Sequence, residues 1–506
     1  MNNIKDKLAL MAPSLVFGEG EPLTVTVPAG QFRDVAKSLR DDPQMRFDLL
    51  LCMTGMDWGE TLGVVYHLRS TELGHEIVLR TETADRENPE LQSVYDLWES
   101  ANLNEREVYD FFGIRFIGHP DMRRLYLRND WVGYPFRKDY NASPDVNPVR
   151  LDSDETLDTA PAYELKDGKV EKHENVLFEN DEYVVNIGPQ HPATHGVLRF
   201  RVSLAGETVQ KVDVHCGYIH RGIEKMCESL TYPQTLALTD RLDYLSAHQN
   251  RHALCMCIEQ AMGIEIPERV QYIRTIMDEL NRLSSHLLFW STLCMDLGAL
   301  TAFFYGFRDR EIVLDMMEET TGGRLIQNYN MIGGVAADIH PNLVKRVKDF
   351  IKYLPKMLDE YDEVFTGNVI AQQRLKGIGS LPKEVAVSYG VTGPSGRASG
   401  WSCDVRKLKP YGVYDKVQFD EVIRTGGDSF DRYLVRVDEI RQSLHILEQL
   451  IDNIPAGDYA VKTKPIIRLP EGQFSSSVEA SRGEFGVYIE SRGDKFPSRM
   501  KFRSPG

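Results

Sequence analysis

The stretch 141–180 constrains the fold of this chain most, because it cannot supply a hydrophobic core of its own. It begins NASPDVNPVRLDSDETLDTAPAYELKDGKVEKHEN, which is acidic and polar and has almost no apolar periodicity. A segment of this composition buries too little apolar surface to offset the entropy that is lost on ordering. The sequence therefore predicts an extended connector at 141–180, between one domain at 1–140 and another at 181–506.

The first part, residues 1–140, has the pattern of an α+β domain. Segments 46–58, 62–70 and 74–84 alternate like strands, and 91–101 is predicted to form a helix. A tail rich in arginine and aromatic residues then ends near residue 140. Six charged residues of this part are interpreted as contacts to other proteins: Glu105, Arg106, Asp110, Arg123, Arg124 and Arg137.

The second part, residues 181–506, begins with strands and continues as long helices. YVVNIG and LRFRVSLAGETVQKVDVHCG alternate like strands, with a turn at Ala205–Gly206. The C-terminal stretch from residue 479 is predicted to form a glycine-turned hairpin. The whole chain is therefore expected to have an α+β fold whose second domain is a mainly α-helical bundle with a β-rich start and end. Helices are predicted at about 232–262, 269–287, 301–320, 341–361 and 431–451.

Composition excludes several classes of function. The formal net charge of −16 argues against nucleic acid as the main partner, because phosphate binding needs basic surface. The seven cysteines form no CxxC pair, and the chain has neither a GxGxxG loop after a strand nor a GxxxxGK[ST] loop. We therefore expect that this chain alone binds no metal and no redox cofactor. No stretch reaches about 18 uninterrupted apolar residues, so no membrane-spanning segment is predicted.

Three polar, glycine-punctuated stretches carry the chemistry of the second part. They are GPQHPATHG at 188–196, HCGYIHRGIEK at 215–225 and DRLDYLSAH at 240–248. Histidine exchanges protons near neutral pH, and glycine or proline beside it lets the backbone approach a ligand closely. The stretches are interpreted as the walls of a pocket that exchanges protons. The alternative is a set of polar groups that satisfy one another at a domain interface.

These motifs carry a resemblance to two known families. The second part resembles the 49-kDa-type (D) subunit of respiratory complex I, the proton-pumping NADH–quinone oxidoreductase. It does so through the three stretches and through MDELNRLSSHL, DLGALTAFFYGFRDRE, VTGPSGRASG and ASRGEFG. The first part resembles the 30-kDa-type (C) subunit through EREVYDFFGIRFIGHPDMRRLYLRNDWVGYPFRKDY, Glu105 to Tyr140. Both families in one chain imply a fused C/D subunit.

The D family is also similar to the large subunit of nickel–iron hydrogenases, which implies a related fold for the second domain. In those hydrogenases an RxCGxC motif supplies two metal ligands, and the corresponding stretch here has Asp243 and Ser246 in place of both cysteines. Nickel–iron chemistry requires soft thiolate ligands. The resemblance therefore implies a quinone pocket on this scaffold and no nickel centre.

The resemblance assigns the quinone headgroup to His195 and Tyr244. Quinone reduction consumes two electrons and two protons, and an imidazole and a phenol can each hydrogen-bond a carbonyl oxygen and supply a proton. Asp296 corresponds to the acid that orients His195 and raises its pKa. The alternatives are a buried structural His–Tyr pair and an N-cap role for Asp296 in the following helix.

Arg221 corresponds to the arginine beside the terminal tetranuclear iron–sulfur cluster of a neighbouring subunit, where a fixed cation would stabilise the reduced cluster. His220 is expected to share that interface. The alternative for Arg221 is an ordinary ion pair with Glu224.

As a whole, the resemblance implies a quinone-site subunit that passes electrons from a partner's iron–sulfur cluster to a membrane quinone, its substrate. The implied partners are other complex I subunits, especially the B-type cluster subunit and the membrane-arm subunits. The implied location is peripheral, on the cytoplasmic side of the bacterial inner membrane. Two alternatives remain: a purely structural scaffold of the same complex, and a group 4 hydrogenase-like subunit without nickel.

Two features depart from the family pattern. The TGxR motif, here Thr321 to Arg324, is not followed by the histidine found in many relatives, since the position reads Gln327. A proton relay through that position is therefore not expected. The family's acidic C-terminal tail is expected beyond an FRSPG-like stretch, and it is missing after Gly506.

Overall fold

Helices and strands occur in both units of the chain, which confirms the predicted α+β class. The computed structural model describes residues 2–18, 22–140 and 158–505. One unit contains residues 1–221 together with 388–390, and the other contains 222–387 and 391–506.

The first unit is built mainly from strands. Its elements in chain order are α1 (Asn2–Met11), β1 (Val16–Phe17), β2 (Leu23–Thr26), α2 (Phe32–Asp41), β3 (Leu49–Asp57), β4 (Leu62–Arg69), β5 (Glu76–Thr83), β6 (Glu90–Gln92), α3 (Ala101–Phe112), β7 (Arg115–Ile117), β8 (Thr159–Lys166), β9 (Lys169–Val176), β10 (Tyr183–Ile187), β11 (Arg199–Ala205) and β12 (Thr208–His215).

Five of these strands form one sheet in the order β1-β2-β5-β4-β3. The three strands β3, β4 and β5 are antiparallel, and Leu62 lies opposite Asp57 on one side and Thr83 on the other. Helix α2 packs its apolar face on this sheet, where the rings of Phe32 and Tyr66 lie 4.6 Å apart. The strands predicted at 46–58, 62–70 and 74–84 are therefore confirmed, and β3 and β4 are buried along most of their length.

The helix predicted at 91–101 is wrong. Leu91 lies in the short strand β6, opposite Phe116 of β7, and the helix α3 begins only at Ala101. The side chain of Glu105 explains the difference, because its carboxyl group accepts hydrogen bonds from the Val94 N–H at 2.8 Å and from the Ser93 hydroxyl at 2.5 Å. The Glu105 side chain thus accepts a hydrogen bond from a backbone N–H group that the apolar periodicity would have placed in a helix.

We expect Glu105 to make the stability of this region depend on pH. Burial raises the pKa of Glu105 to about 8, well above its value of about 4.3 in an unfolded chain. Its contribution to stability is therefore complete below about pH 4 and is lost as the pH rises through 8. Between pH 6 and pH 8 the free energy of local opening around α3 should fall by about 2 kcal/mol. Hydrogen–deuterium exchange measures this fall, and Glu105→Gln, which does not titrate, should abolish it. An equal fall in both proteins would contradict the assignment.

Regular structure also occurs inside the stretch predicted to be an extended connector. Residues 141–157 of that stretch lie outside the described residues, but β8 and β9 form an antiparallel hairpin at 159–176. The alternate residues Ala160 and Ala162 of β8 are buried, while most of the charged side chains of the hairpin are exposed. The charged face dominates the composition, which is why the apolar face was not recognised from the sequence.

The strands that follow agree with the prediction. Strands β10, β11 and β12 form an antiparallel sheet with Val202 of the central strand opposite Val185 and Val212. The turn at Ala205–Gly206 joins β11 to β12 as expected. A bulge at Ser203–Leu204 shifts the register by one residue within this pair.

The second unit is mainly helical. Its elements in chain order are α4 (Ile223–Cys227), α5 (Tyr232–Thr239), α6 (Ala247–Met262), α7 (Glu268–Asp296), α8 (Leu300–Thr321), β13 (Asn330–Met331), β14 (Gly334–Val335), α9 (Leu343–Tyr361), α10 (Val369–Leu375), α11 (Lys383–Ser388), α12 (Gly393–Ala398), α13 (Val405–Leu408), α14 (Ser429–Leu450), β15 (Glu471–Ala480), β16 (Gly483–Arg492) and β17 (Arg499–Arg503).

The long helices surround an apolar core in which aromatic rings pack at close range. Trp290 of α7 stacks on Tyr361 of α9 with their ring centroids 3.8 Å apart, and its indole N–H donates to the hydroxyl of Tyr433 on α14. The helices predicted at 269–287, 301–320, 341–361 and 431–451 are confirmed. The hairpin predicted at the C-terminus is present and gains a third strand, β17.

The helix predicted at 232–262 is interrupted. Helix α5 ends at Thr239 and α6 begins at Ala247, and the intervening residues carry the DRLDY motif. Within the residues described, no helix combines the length and the apolar character that crossing a bilayer requires.

Candidate functional site

His195 lies in a closed loop between β10 and β11. An isolated antiparallel bridge joins Gln190 to Val197, and Thr194 Oγ1 lies 2.9 Å from the carbonyl oxygen of His191. His195 ends a single 3₁₀ turn with a left-handed backbone at φ +48°. That conformation costs about 1–2 kcal/mol for a residue with a side chain, and such residues concentrate at functional sites. The fold thus holds an exposed imidazole on a stiff loop.

The HCGYIHRGIEK stretch turns back against the aromatic tail of the first part. Gly217 has φ +104°, and a Cβ atom there would lie 2.1 Å from the carbonyl oxygen of Tyr126. Only glycine permits that approach. The ring of His220 stacks on Tyr126 at 4.9 Å and on Phe111 at 5.1 Å between centroids. Arg221 follows with an exposed side chain.

The charges that were expected to contact other proteins are used inside the first unit. Arg123 pairs with Asp121 at 2.7 Å and with Asp213 at 2.9 Å. The guanidinium of Arg106 donates to the carbonyl oxygens of Arg123 and Arg124 at 3.1 Å and 3.0 Å. The interpretation as external contacts is therefore wrong, because sequence polarity does not reveal burial. Glu105, Asp110, Arg124 and Arg137 also have hydrogen-bond partners within this unit.

A cleft of about 390 Å³ lies beside this turn, between residues 123–130 and 214–218. The side chains of Arg106 and Arg123 contribute to its wall. Both guanidinium groups are committed to the carbonyl and carboxylate oxygens just described, so their charge is compensated within the unit. These two arginines therefore do not by themselves make the cleft an anion site.

In the second unit, Tyr244 lies on the 3₁₀ turn that separates α5 from α6. Its side chain is 49% exposed, although the turn itself is anchored on both sides. Asn250 Nδ2 of α6 donates to the carbonyl oxygen of Asp243 at 2.9 Å, and Asn281 Nδ2 of α7 donates to that of Leu245 at 3.2 Å. Two helices thus fix the backbone from which the phenol projects.

Buried polar atoms without a hydrogen-bond partner lie next to this turn. Among the described residues they include Ser246 Oγ, His248 Nε2, Asn250 Oδ1, Asn281 Oδ1 and Asp243 Oδ2, the last of which lies 3.7 Å from Arg482 Nε. Such atoms are rare in folded proteins and are normally bonded to ordered water or to a ligand. Their concentration beside an exposed phenol is typical of a site that binds a polar molecule.

Asp296 is the last residue of α7, and its side chain is exposed. The N-cap of the next helix is Ala299, so the alternative role of Asp296 as that N-cap is wrong. A carboxylate at a helix C-terminus gains nothing from the helix dipole, so helix stability does not account for this residue. Along α7 it lies about 22 Å from Asn281, the residue that anchors the Tyr244 turn.

Glu224, the alternative partner of Arg221, is bound elsewhere. Its carboxylate accepts from Arg499 at 2.7 Å and from the backbone N–H of Phe502 at 3.1 Å, and Lys501 lies 3.5 Å away. Burial opposes the charged form, but the two cations hold the pKa of Glu224 below its usual range. Glu224 therefore attaches α4 to β17.

The remaining family-like motifs build a buried ionic network that sequence reasoning missed. Arg397 of VTGPSGRASG donates to Glu439 at 2.6 Å and to Glu479 at 2.8 Å, and His286 of MDELNRLSSHL lies 2.8 Å from the other oxygen of Glu439. In the same motif, Glu279 lies 3.2 Å from Arg406. All of these side chains are buried. A signal was present in the sequence, since the charged or titratable residues at 279, 282 and 286 recur at three- and four-residue steps and so share one face of the predicted helix.

Among the described residues, no group of three or more His, Cys, Asp or Glu side chains is arranged to hold a metal ion. Asp243 and Ser246 lie on either side of Tyr244 in the turn between α5 and α6. The Asp243 carboxylate accepts from the backbone N–H of Leu245 at 3.3 Å and so caps that turn.

The predicted site residues are distributed over both units. His195, His220 and Arg221 belong to loops of the first unit, whereas Tyr244 and Asp296 belong to the second. Within the second unit, Tyr244 and Asp296 do not adjoin, because they lie near different parts of α7.

Two family models match the chain. The model described as "Respiratory-chain NADH dehydrogenase, 30 Kd subunit" matches residues 25–146. The model described as "Respiratory-chain NADH dehydrogenase, 49 Kd subunit" matches residues 296–468 and 463–506.

Three similar proteins are named as subunits of NADH-quinone oxidoreductase. The C/D subunit of the NADH-quinone oxidoreductase of Phocaeicola vulgatus is 66% identical over 484 residues, which are 95% of this chain and 92% of that protein. A Bacteroides fragilis protein of the same name is 66% identical over 92% of this chain and 90% of its own length. The D subunit of the NADH-quinone oxidoreductase of Geobacillus kaustophilus is 44% identical over 331 residues, 65% of this chain and 90% of that protein.

Proposed function

Because this chain belongs to the family of NADH–quinone oxidoreductase C/D subunits, we propose that it carries the quinone-reducing site of that complex. The enzyme is the multisubunit oxidoreductase, and this chain is one subunit of it. Electrons from NADH would reach the site through an iron–sulfur cluster held by a neighbouring subunit. The alternatives of a purely structural scaffold and of a hydrogenase-like subunit are not favoured by these relatives.

The observation that carries the proposal is the turn of Tyr244. Its phenol is half exposed on a backbone fixed by Asn250 and Asn281, and the Oδ1 atoms of these two asparagines and the Oγ atom of Ser246 are buried without a partner among the described residues. A phenol hydroxyl can donate a hydrogen bond to a quinone carbonyl and then give up its proton. A rigid mount keeps that hydroxyl in position, which is what proton transfer to a bound substrate requires.

We assign the second proton to His195. Its left-handed backbone position and exposed imidazole support a binding role over a packing role. Asp296 is proposed as the carboxylate that orients this imidazole and favours its protonated form. The exposed position of Asp296 at the end of α7, where helix stability does not explain it, supports that assignment.

We propose that Arg221 and His220 face the partner's iron–sulfur cluster. The support lies in the turn that carries them, which is held by the approach of Gly217 to Tyr126 and by the stacking of His220. A cation on a fixed turn can stabilise the reduced, more negative cluster. The neighbour would be the B-type cluster subunit of the complex.

Quinone is confined to the membrane, so the chain is proposed to lie on the cytoplasmic side of the bacterial inner membrane, held there by membrane-arm subunits. In this setting the protons taken up at the quinone would be coupled to proton translocation by the complex. The chain's own contribution is to hold the headgroup and to deliver two protons to it.

Tyr244→Phe tests the proposal. We expect quinone reduction by the assembled complex to fall at least tenfold, which corresponds to about 1.4 kcal/mol of transition-state stabilisation, because the ring stays and only the proton donor is lost. Turnover of NADH with a quinone is the measurement, and electron transfer from NADH to the cluster should remain normal. Tyr459→Phe is the matched control, since Tyr459 is also a half-exposed tyrosine of the second unit. Equal turnover in both variants would refute the role of Tyr244.

A further inference from the structure

Two histidines of α6 share one buried carboxylate of α7. His248 Nδ1 lies 2.6 Å from Asp278 Oδ1, and His252 Nδ1 lies 2.7 Å from Asp278 Oδ2. The exposed fractions of the side chains of His248, His252 and Asp278 are 0%, 4% and 0%. The histidines are four residues apart, so they lie on one face of α6 and reach the same residue of α7. We call these three residues the His–Asp–His triad.

The triad has room for one exchangeable proton. A carboxylate only accepts hydrogen bonds, so each Nδ1 carries a hydrogen and any further proton must enter or leave at an Nε2 atom. Burial opposes ionisation of Asp278, but the two imidazoles hold its pKa well below the usual range, and the carboxylate stays charged. Burial lowers the pKa of His248, and the Asp278 carboxylate opposes that shift. With both imidazoles neutral the triad carries one negative charge, and one added proton neutralises it.

His248 is the end of the triad from which that proton can leave. Its Nε2 atom is buried and has no hydrogen-bond partner among the described residues. His248 comes four residues after Tyr244, and Asn250, its near neighbour on α6, holds the Tyr244 turn. Asn281, three residues after Asp278, holds the other side of the same turn. The triad and the phenol are thus mounted on the same two helices.

The ionisable side chains around the triad do not supply the proton that the triad exchanges. Arg274 is bound to Glu259 at 2.7 Å, so its charge is compensated. The rings of Tyr329 and Tyr411 contact His248 and His252 at 6.2 Å and 5.6 Å between centroids. Burial raises the pKa of these phenols, so they stay neutral near pH 7. Further titratable groups on elements packed against α6 and α7 include Asp240 with Arg251, Glu279 with Arg282, His286 with Glu439, Tyr414 and Glu479.

We propose that the His–Asp–His triad is the proton donor that restores the Tyr244 hydroxyl after each reduction of quinone. This inference rests on the proposed function, in which Tyr244 protonates the quinone. It adds His248, His252 and Asp278 as positioning and proton-supplying residues that act through Tyr244 and do not touch the substrate.

Protons and electrons balance in this cycle. Two electrons, drawn by the complex from NADH, reduce the quinone, while one oxygen takes a proton from Tyr244 and the other takes a proton from His195. The O–H bond of Tyr244 breaks, its electron pair stays on the oxygen, and a phenolate remains. The N–H bond at Nε2 of protonated His248 then breaks and a bridging water takes that proton, because Nε2 has no direct partner among the described residues. The water gives one of its own protons to the phenolate oxygen, and the triad returns to one negative charge.

Asp278→Asn in the assembled complex tests the triad through the pH dependence of kcat. The carboxylate favours protonated imidazole, so its removal lowers the pH at which the triad loses its proton. We expect the alkaline limb of the kcat profile to move by at least one pH unit towards acid, with an unchanged KM for quinone. His248→Gln should lower kcat at least tenfold at every pH and increase the solvent deuterium isotope effect.

Two controls separate the triad from simple loss of structure. His286→Gln removes another fully buried histidine of α7 that pairs with a carboxylate, Glu439, and it should not move the pH profile. Burial raises the pKa of Asp240 to about 6, so Asp240→Asn tests a competing titration and should also leave the alkaline limb in place. A shift in either control equal to that of Asp278→Asn would overturn the inference.

The remaining outcomes are decisive as well. If Tyr244→Phe abolishes turnover while Asp278→Asn and His248→Gln keep the wild-type profile, only the triad inference fails. If Tyr244→Phe keeps full turnover, the proposed function of Tyr244 fails first. If His248→Gln does not assemble, the pH profile of Asp278→Asn alone decides, because asparagine keeps the size of the side chain and one hydrogen-bond acceptor.

Discussion

Arg397→Met is expected to destabilise the second unit by about 3–5 kcal/mol, enough to prevent accumulation of the protein. The guanidinium of Arg397 donates to Glu439 and Glu479 with no exposure to solvent. Without Arg397, the carboxyl groups of Glu439 and Glu479 remain buried and repel each other when both are charged. Glu479 can respond by taking a proton, because burial raises its pKa to about 7. In the intact protein Arg397 and His286 offset the effect of burial and hold the pKa of Glu439 well below the usual range, so in the variant Glu439 loses the largest of these charge partners and keeps His286.

The amount of this chain in purified complexes and the exchange rates of amides in α12 and α14 measure this effect. Arg441→Met is the matched control, because Arg441 pairs with Asp362 at 2.9 Å but both side chains are about 40% exposed. An exposed pair of this kind contributes at most about 1 kcal/mol. Similar losses in the two variants would show that the network around Arg397 contributes no more to stability than an exposed ion pair does.

Gly217→Val should disrupt the first unit by about 3 kcal/mol or more. A Cβ atom at this position would lie 2.1 Å from the carbonyl oxygen of Tyr126 and 2.7 Å from its Cα. Both are backbone atoms, so no side-chain rotation relieves the clash. The backbone at φ +104° adds its own strain for any residue other than glycine. The turn that carries His220 and Arg221 is expected to detach from the aromatic tail.

Gly206→Ala is the control for Gly217→Val. Gly206 also has a left-handed backbone, at φ +65°, but nothing lies within 4 Å of its added Cβ. The cost there should be limited to the backbone term of about 1 kcal/mol. Hydrogen–deuterium exchange at 106–126 and 199–221 distinguishes the two variants. Protection that survives in Gly217→Val would mean that the close approach to Tyr126 is unimportant.

The sequence predicted those elements whose apolar residues form a clear run or recur at helical spacing. Helices α7, α9 and α14 were found because their apolar residues recur at three- and four-residue steps, and strands β3 to β5 because they are short runs rich in apolar residues. Helix α3 was not found, because Glu105, Arg106 and Asp110 are buried there with polar partners. A pattern based on hydrophobicity cannot separate such residues from exposed ones.

The candidate site was predicted only in part, and for a related reason. The sequence motifs around His195, Tyr244 and Arg221 indicated these residues as candidates, and the local geometry of each is irregular. His248, His252 and Asp278 were overlooked, because they occupy ordinary helical positions and become a cluster only when α6 packs on α7. Spacing within one helix predicts which residues share a face, but not which carboxylate the facing helix provides.

The approach of Gly217 to Tyr126 has a consequence for biosynthesis. Arg123 precedes the stretch 141–180 in the chain, whereas its partner Asp213 follows it, and both belong to one unit. During translation the N-terminal sheet leaves the ribosome first, but its arginine tail stays incomplete until residue 217 has followed. Joining the two family-like parts in one polypeptide makes that completion unimolecular, at an effective concentration on the order of millimolar. Gene fusion in this case removes a diffusional encounter from the maturation of a single folding unit.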